Sequence, residues 1–155
     1  MSFQIHALPA EPFAPLFALP DPELRTRAIR SVVADASGGF PCRVSLQDAT
    51  EGERLLLLPY DHHAVDTPYR ASGPIYVREA AVQAMPAIDD VPALLRRRLL
   101  SLRAYTAQGM MVWAEVVPGT EVEDGIARLF ANERSRYLHI HYALPGCYAS
   151  RVERA

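Results

Sequence analysis

Lysine is missing from this sequence, because all 16 basic residues are arginine. Schiff-base catalysis, attachment of pyridoxal phosphate and the lysine of a phosphate-binding loop all require a primary amine on a side chain. These kinds of chemistry are therefore excluded. Any anion that the protein binds is expected to meet arginine, whose planar guanidinium donates paired hydrogen bonds to carboxylate or phosphate.

Long apolar runs, dense cysteines and a strong net charge are also lacking. No apolar run approaches the ~20 residues of a membrane span, and the first residues lack the pattern of a signal sequence. Two cysteines 105 positions apart do not make a disulfide framework. The formal net charge of -2 gives no general attraction for nucleic acid. We therefore expect a cytosolic protein with reduced thiols and with neither a membrane nor a nucleic-acid partner.

Proline and glycine are frequent enough to interrupt the chain, but glycine never forms a nucleotide-binding motif. The 8 glycines do not fall into G-x-G-x-x-G or G-x-x-x-x-G-K order, so a Rossmann-type dinucleotide site is not expected. Together with 13 prolines they favour short elements. A chain of 155 residues fits one domain, residues 1–155. We predict an α+β fold with a largely antiparallel sheet of short strands flanked by about three short helices.

The periodicity of apolar residues and the turn residues place the predicted elements. Strands are predicted at 3–6, 31–34, 42–46, 54–60, 75–79, 100–105, 110–117, 137–143 and 147–153, and helices at 21–27, 92–98 and 120–132. The turn at 50–52 predicts a hairpin between the third and fourth of these strands. Residues 61–74 form the longest predicted loop, a length that is usually functional or mobile. Thr120 and Glu123 predict a capping box.

His139 and His141 are separated by one residue in a predicted strand. Side chains two positions apart in a strand leave the same face, about 7 Å from each other. Both imidazoles then face one way, while Leu138, Ile140 and Tyr142 face the other way and identify the core. We expect the two histidines to face a cleft or solvent, as metal ligands or as acid–base and anion-binding groups. The alternative is a polar, half-exposed strand face.

A metal ion on His139 and His141 requires further ligands. Zinc takes four protein ligands in structural sites, and three plus water in catalytic sites. No His-Glu-x-x-His motif is present, so the sequence does not specify the remaining ligands. The candidates are His62, His63, Asp61, Asp66 and Cys147.

Cys147 follows Pro-Gly at the predicted start of the last strand, where a thiol is partly exposed. With His139 or His141 as its base it would be a catalytic nucleophile, an arrangement that depends on spatial proximity. Cys42 alternates with apolar residues and is predicted to be a buried, inert thiol.

Tyr69, Arg70 and Ser72 lie in a segment that prolines bracket on both sides. Proline restricts the conformations of such a segment, which suits a binding loop. Arg70, together with Arg43 from a neighbouring predicted strand, is predicted to clamp a small anionic molecule. The alternative is a surface arginine paired with a carboxylate and a tyrosine packed over the loop. The run at 96–98 is interpreted as a solvated helix face.

Four segments in this order resemble an uncharacterised bacterial family known as DUF1203. They are GFPCRVSL at 39–46, PYRASGPIYVRE at 68–79, LRRRLLSLRAY at 95–105 and HIHYALPGCYASRVERA at 139–155. The resemblance implies a single-domain bacterial protein of about this length, and it brings no catalytic residues with it.

Three hypotheses for function follow from these observations. The first is a small-molecule-binding domain, with enzymatic activity left open, whose pocket lies between the 61–74 loop and the region from His139 to Cys147 and uses Arg70, His139 and His141. The second is a metal-dependent enzyme in which the loop completes the ligands of His139 and His141. The third is an interaction module that forms a homodimer through an exposed strand edge or an apolar patch.

Overall fold

The computed structural model describes residues 1–155, which form eight strands and three short α-helices. The elements are β1 (Phe3–His6), α1 (Asp21–Thr26), β2 (Arg30–Val33), β3 (Arg54–His63), β4 (Ala71–Arg78), α2 (Ala93–Arg96), β5 (Leu99–Tyr105), β6 (Met111–Pro118), α3 (Val122–Phe130), β7 (Tyr137–Tyr142) and β8 (Tyr148–Arg154). None of the helices has the length and apolar character that crossing a bilayer would take.

The strands form two antiparallel sheets. One has five strands in the order β1-β8-β7-β5-β6, and the other has three in the order β2-β3-β4. The predicted α+β class, with antiparallel strands and three short helices, is confirmed. Strand β1, near the start of the chain, pairs with β8 at its end, so the five-stranded sheet joins both ends of the chain.

Strand β7 lies in the middle of the five-stranded sheet, between β5 and β8, and all six of its side chains are buried. Leu138 and Ile140 belong to the main apolar cluster, which also contains Ile126 and Leu129 of α3. Alternation along the strand then turns His139 and His141 to the opposite face. These two histidines are buried as well, which differs from the predicted cleft-facing or solvent-facing position.

The predicted strand at 42–46 is wrong. The chain makes only isolated bridges at Pro41 and Cys42, and a turn follows in which the Leu46 amide donates to the Cys42 carbonyl. Beside this turn the Arg43 side chain is buried, and its guanidinium donates to the carbonyls of Pro41 and Tyr148. The predicted hairpin partner, β3, pairs with β2 and β4 instead.

The loop predicted at 61–74 is shorter in the structure. Strand β3 continues to His63 and β4 begins at Ala71, which leaves a connection of residues 64–70. The register between the two strands shifts between Tyr60 and His63, where β3 carries one more residue than β4. Such a bulge redirects side chains that a regular strand would send to opposite faces. Both histidines of the pair at 62–63 consequently approach β7.

The predicted capping box is also wrong, although its helix is present as α3. Gly119–Glu121 form a 3-10 turn ahead of α3, and no side chain caps the helix. The Gly119 amide donates to the Arg98 carbonyl, and a side chain at this glycine would collide with the carbonyl oxygen of Leu95. Packing against the end of α2 therefore fixes the turn, and Thr120 is not free to act as the cap.

Candidate metal centre

The site is built on the face of β7 that points away from α3. His139 is opposite Arg151 of β8 and Arg103 of β5, and His141 is opposite Tyr148 and Ser101. Strands on both sides hold β7 in place, so the two imidazoles are supported by a continuous hydrogen-bonded sheet. Strong positioning of this kind favours a precise site over a mobile one.

His62 reaches the same place from the other sheet. Its ring stacks on that of Tyr148, with centroids 5.3 Å apart and planes inclined by 10°. The centroid of the His62 ring lies 5.1 Å from that of His141 and 6.1 Å from that of His139. The bulge in β3 thus brings a third imidazole to the pair on β7, and the three rings come from two different sheets.

The three histidines are close enough to share one ion. One ring nitrogen from each of His62, His139 and His141 lies within 4.8 Å of the others. Zinc–nitrogen bonds of about 2.0–2.1 Å in a tetrahedral site place the ligand nitrogens roughly 3.4 Å apart. The ligand nitrogens therefore need to approach each other by about 1.5 Å or less to share one zinc ion.

Each of these histidines has a buried ring nitrogen without a hydrogen-bond partner. The atoms are Nδ1 of His62, Nδ1 of His139 and Nε2 of His141. Nδ1–H of His141 donates to the Gly146 carbonyl at 3.0 Å, which leaves a lone pair on Nε2. A backbone carbonyl that fixes the tautomer in this way is the usual outer partner of a metal-binding histidine.

The imidazoles are neutral near pH 7. Burial is the main cause, and it lowers the pKa of His62 to about 4, that of His139 to about 2 and that of His141 to about 3. The charges of neighbouring histidines and arginines lower these values further, Arg103 beside His62 and His141, and Arg151 beside His139. Neutral imidazole is the form that binds a metal, so each ring has one nitrogen lone pair to offer at neutral pH.

His63 lies beside this group but is fully engaged elsewhere. Its Nδ1–H donates to the Tyr69 carbonyl at 2.7 Å, and its Nε2 accepts from the Tyr137 hydroxyl at 2.7 Å. His63 therefore has no lone pair to offer. Among the other ligands considered from the sequence, Asp61 and Asp66 are exposed and outside the group.

Cys147 is also outside the group of three histidines. Its sulfur accepts a hydrogen bond from Nη2 of Arg43 at 3.1 Å, and it lines a separate cavity with that arginine. No hydrogen bond joins the thiol to His139 or His141, so the structure does not assemble the predicted cysteine–histidine pair. Cys42 is completely buried, as predicted.

The residues predicted in the prolyl segment lie elsewhere. Arg70 and Ser72 line a depression of about 230 Å³ together with His63, and this depression includes neither His139 nor His141. Tyr69 is partly exposed, and its carbonyl holds His63. The structure therefore does not bring Arg70 and the two β7 histidines into the single pocket predicted from the sequence. A ligand-binding role for this segment stays a prediction.

Comparison with models of protein families places the chain in a family. Residues 39–154 match the family described as "Protein of unknown function (DUF1203)", and the chain belongs to it. The matched span includes all three histidines and both residues of the Arg43–Cys147 contact. Searches of curated proteins and of solved structures gave no match. The family carries no stated function, so any account of activity depends on the site itself.

Proposed function

We propose that this protein is a metalloprotein that binds one divalent ion of the zinc class through His62, His139 and His141. One observation carries the proposal: three imidazoles from two sheets converge, and each has a buried ring nitrogen without a partner. Burying a polar atom without a hydrogen bond costs free energy. A metal ion bound by all three nitrogens would remove this cost at once.

The donor set supports a borderline transition metal. Imidazole suits zinc, copper, nickel and iron, whereas calcium and magnesium prefer oxygen ligands. The sulfur of Cys147 is hydrogen-bonded to Arg43, and no carboxylate belongs to the group. The expected site is therefore an all-nitrogen centre rather than a cysteine-containing structural zinc site.

Three protein ligands leave at least one coordination position open. In zinc enzymes with three protein ligands, water occupies this position and loses a proton near neutral pH. Carboxylates and phosphates also bind metals at such a position. A small anionic molecule would therefore be able to occupy the open position of this centre. We propose that water or such an anion occupies the open position of this centre, in a bacterial cytosolic setting.

Metal content after reconstitution tests the proposal. Purified protein would be stripped with a chelator, loaded with zinc, separated from free metal and measured by elemental analysis. We expect about one zinc per chain in the native protein, and His139→Gln and His62→Gln should lose it. Isothermal titration should show that the affinity of each variant for zinc is more than 100-fold below that of the native protein. Loss of a residue that only orients a metal ligand lowers metal affinity by 10- to 100-fold. Cobalt loading gives a visible spectrum that reports nitrogen coordination independently of activity.

Two histidines outside the site provide matched controls. His6 is partly exposed and pairs with Glu153, and His63 uses both of its ring nitrogens. Zinc content in His6→Gln and His63→Gln should equal that of the native protein. Substoichiometric zinc after loading, or zinc that persists in His139→Gln, would remove the proposal.

A further inference from the structure

A second cavity, of about 430 Å³, lies beside the turn that joins β7 to β8. Its walls include Pro41, Leu99, Leu144 and Pro145, which give it an apolar lining. Its polar groups come from three other elements and converge on the same space. A concave, mostly apolar cavity of this size with a few convergent polar groups is the usual form of a small-molecule site.

Arg43 is the most unusual of these polar groups, because it is a buried charge without a carboxylate partner. The residue is only 1% exposed. Its guanidinium donates to the carbonyls of Pro41 and Tyr148 and to the sulfur of Cys147, which is a weak acceptor. A guanidinium has five N–H groups, so these three contacts leave two free. A buried charge is costly unless it is paired.

The arginines at the end of α2 do not supply a compensating negative charge. Arg97 and Arg98 both pair with the single carboxylate of Asp48. Arg43, Arg97 and Arg98 all line the cavity, so three positive charges face one negative charge in this region. The residues that line the cavity therefore carry a local excess of positive charge.

Tyr142 adds a hydroxyl that has no partner. The residue is 3% exposed and lines the cavity, and its buried hydroxyl makes no hydrogen bond. Its ring centroid lies 5.0 Å from the guanidinium carbon of Arg43 and 5.2 Å from that of Arg98. Burial raises the pKa of Tyr142 to about 12, so the hydroxyl remains a donor at neutral pH.

We propose that this cavity binds a small organic anion, with a carboxylate or phosphate head group against Arg43 and the Tyr142 hydroxyl and an apolar body against the proline and leucine walls. The two free N–H groups of Arg43 and the hydroxyl of Tyr142 are donors that the head group would satisfy together. The site differs from the proposed metal centre, since none of the three histidines lines the cavity.

Amide chemical shifts measured on the metal-free full-length protein test this proposal. Benzoate and phenyl phosphate are the probes, and benzyl alcohol is the neutral probe of similar shape. We expect saturable changes in the amide shifts of Gly38, Gly39 and Cys147 with one or both anions. The anion that binds more tightly identifies the preferred head group, carboxylate or phosphate. Benzyl alcohol should bind at least about tenfold more weakly, because it cannot accept charge-assisted hydrogen bonds.

Variants separate recognition of the anion from apolar contact. Arg43→Lys keeps the charge but loses the planar fork, so the dissociation constant should rise about tenfold or more. Tyr142→Phe removes only the unpartnered hydroxyl. It should raise the dissociation constant for the anion about fivefold and leave the fold intact. Arg134→Ala, at an exposed arginine outside the cavity, is the matched control and should leave the affinity unchanged.

The outcomes also distinguish this proposal from the metal centre. His139→Gln should bind the anions as the native protein does, so loss of zinc and loss of anion binding are independent results. Equal affinity for benzoate and benzyl alcohol, or unchanged anion affinity in Tyr142→Phe and Arg43→Lys, would overturn the proposal. Absence of saturable binding by both anions would do the same.

Discussion

Strand β7 buries side chains on both of its faces, but the two faces differ in what burial does for the protein. On one face, Leu138 and Ile140 pack in the apolar cluster shared with α3. On the other face, His139 and His141 bury ring nitrogens, and one nitrogen of each has no partner. Burial of the aliphatic face stabilises the fold, whereas burial of the unpartnered nitrogens costs free energy. The contrast separates the residues that maintain the fold from those available for binding.

The largest expected effect belongs to the aliphatic face. Ile140→Ala removes a fully buried side chain and should lower the free energy of unfolding by about 2–5 kcal/mol. The loss should be the same in zinc and in chelator, because the packing of this residue does not depend on the metal. Urea denaturation under both conditions measures it.

His139→Gln is the matched variant on the other face of the same strand. In chelator, His139→Gln should lower the free energy of unfolding much less than Ile140→Ala does, because the imidazole of His139 has a nitrogen without a partner. In zinc, the loss of unfolding free energy caused by His139→Gln should be larger than in chelator, since only the native protein gains stability from the ion. A cost as large as that of Ile140→Ala in chelator would mean that His139 has a purely structural role, and the contrast between the faces would fail.

The second effect is a dependence on pH that only the histidine face should show. Burial depresses the pKa values of His139 and His141 far below the ordinary value of 6.5. Below pH 6.5 the unfolded chain takes up protons that the folded protein refuses, so stability is complete above this pH and falls as the solution becomes more acidic. Each histidine contributes about 1.4 kcal/mol per pH unit.

Metal-free protein should therefore lose about 4 kcal/mol of unfolding free energy between pH 7.5 and 5.5, because His62, whose pKa burial also lowers, adds its contribution to those of His139 and His141. Carboxylates at their ordinary pKa values titrate mainly below this window. Chemical denaturation at the two pH values, with chelator present, measures the loss. The triple variant with His62→Gln, His139→Gln and His141→Gln should be nearly flat over the same range, and an equal slope in both proteins would contradict the assignment.

Sequence patterns were sufficient for the fold class and for one face of the site. Alternation along the segment that became β7 predicts that His139 and His141 share a face opposite Leu138 and Ile140, because the period of a strand is fixed by the backbone. The antiparallel strands and helix α3 follow from local patterns in the same way. These features depend on residues that are neighbours in sequence.

The features that depend on distant contacts were not predictable in this way. The bulge that sends both His62 and His63 toward β7 is a property of the pairing between β3 and β4, and no local residue pattern marks it. The local pattern predicts Arg43 on a strand, whereas in the structure its side chain is buried and donates to the carbonyl of Tyr148, 105 positions along the chain. His62 stood among several candidate ligands in the sequence, and only its approach to Tyr148 and His141 distinguishes it from His63.

The smallest expected effect compares two tyrosines at the ends of β7. The Tyr137 hydroxyl donates to His63, whereas the Tyr142 hydroxyl is buried without a partner. Tyr137→Phe should therefore lower the free energy of unfolding by about 1 kcal/mol. Tyr142→Phe should leave it unchanged or raise it by up to about 1 kcal/mol. Urea denaturation in chelator and without added anions measures both. If Tyr142→Phe is as costly as Tyr137→Phe, the Tyr142 hydroxyl already has a partner in the unliganded protein, and an anion in the neighbouring cavity would gain no free donor from it.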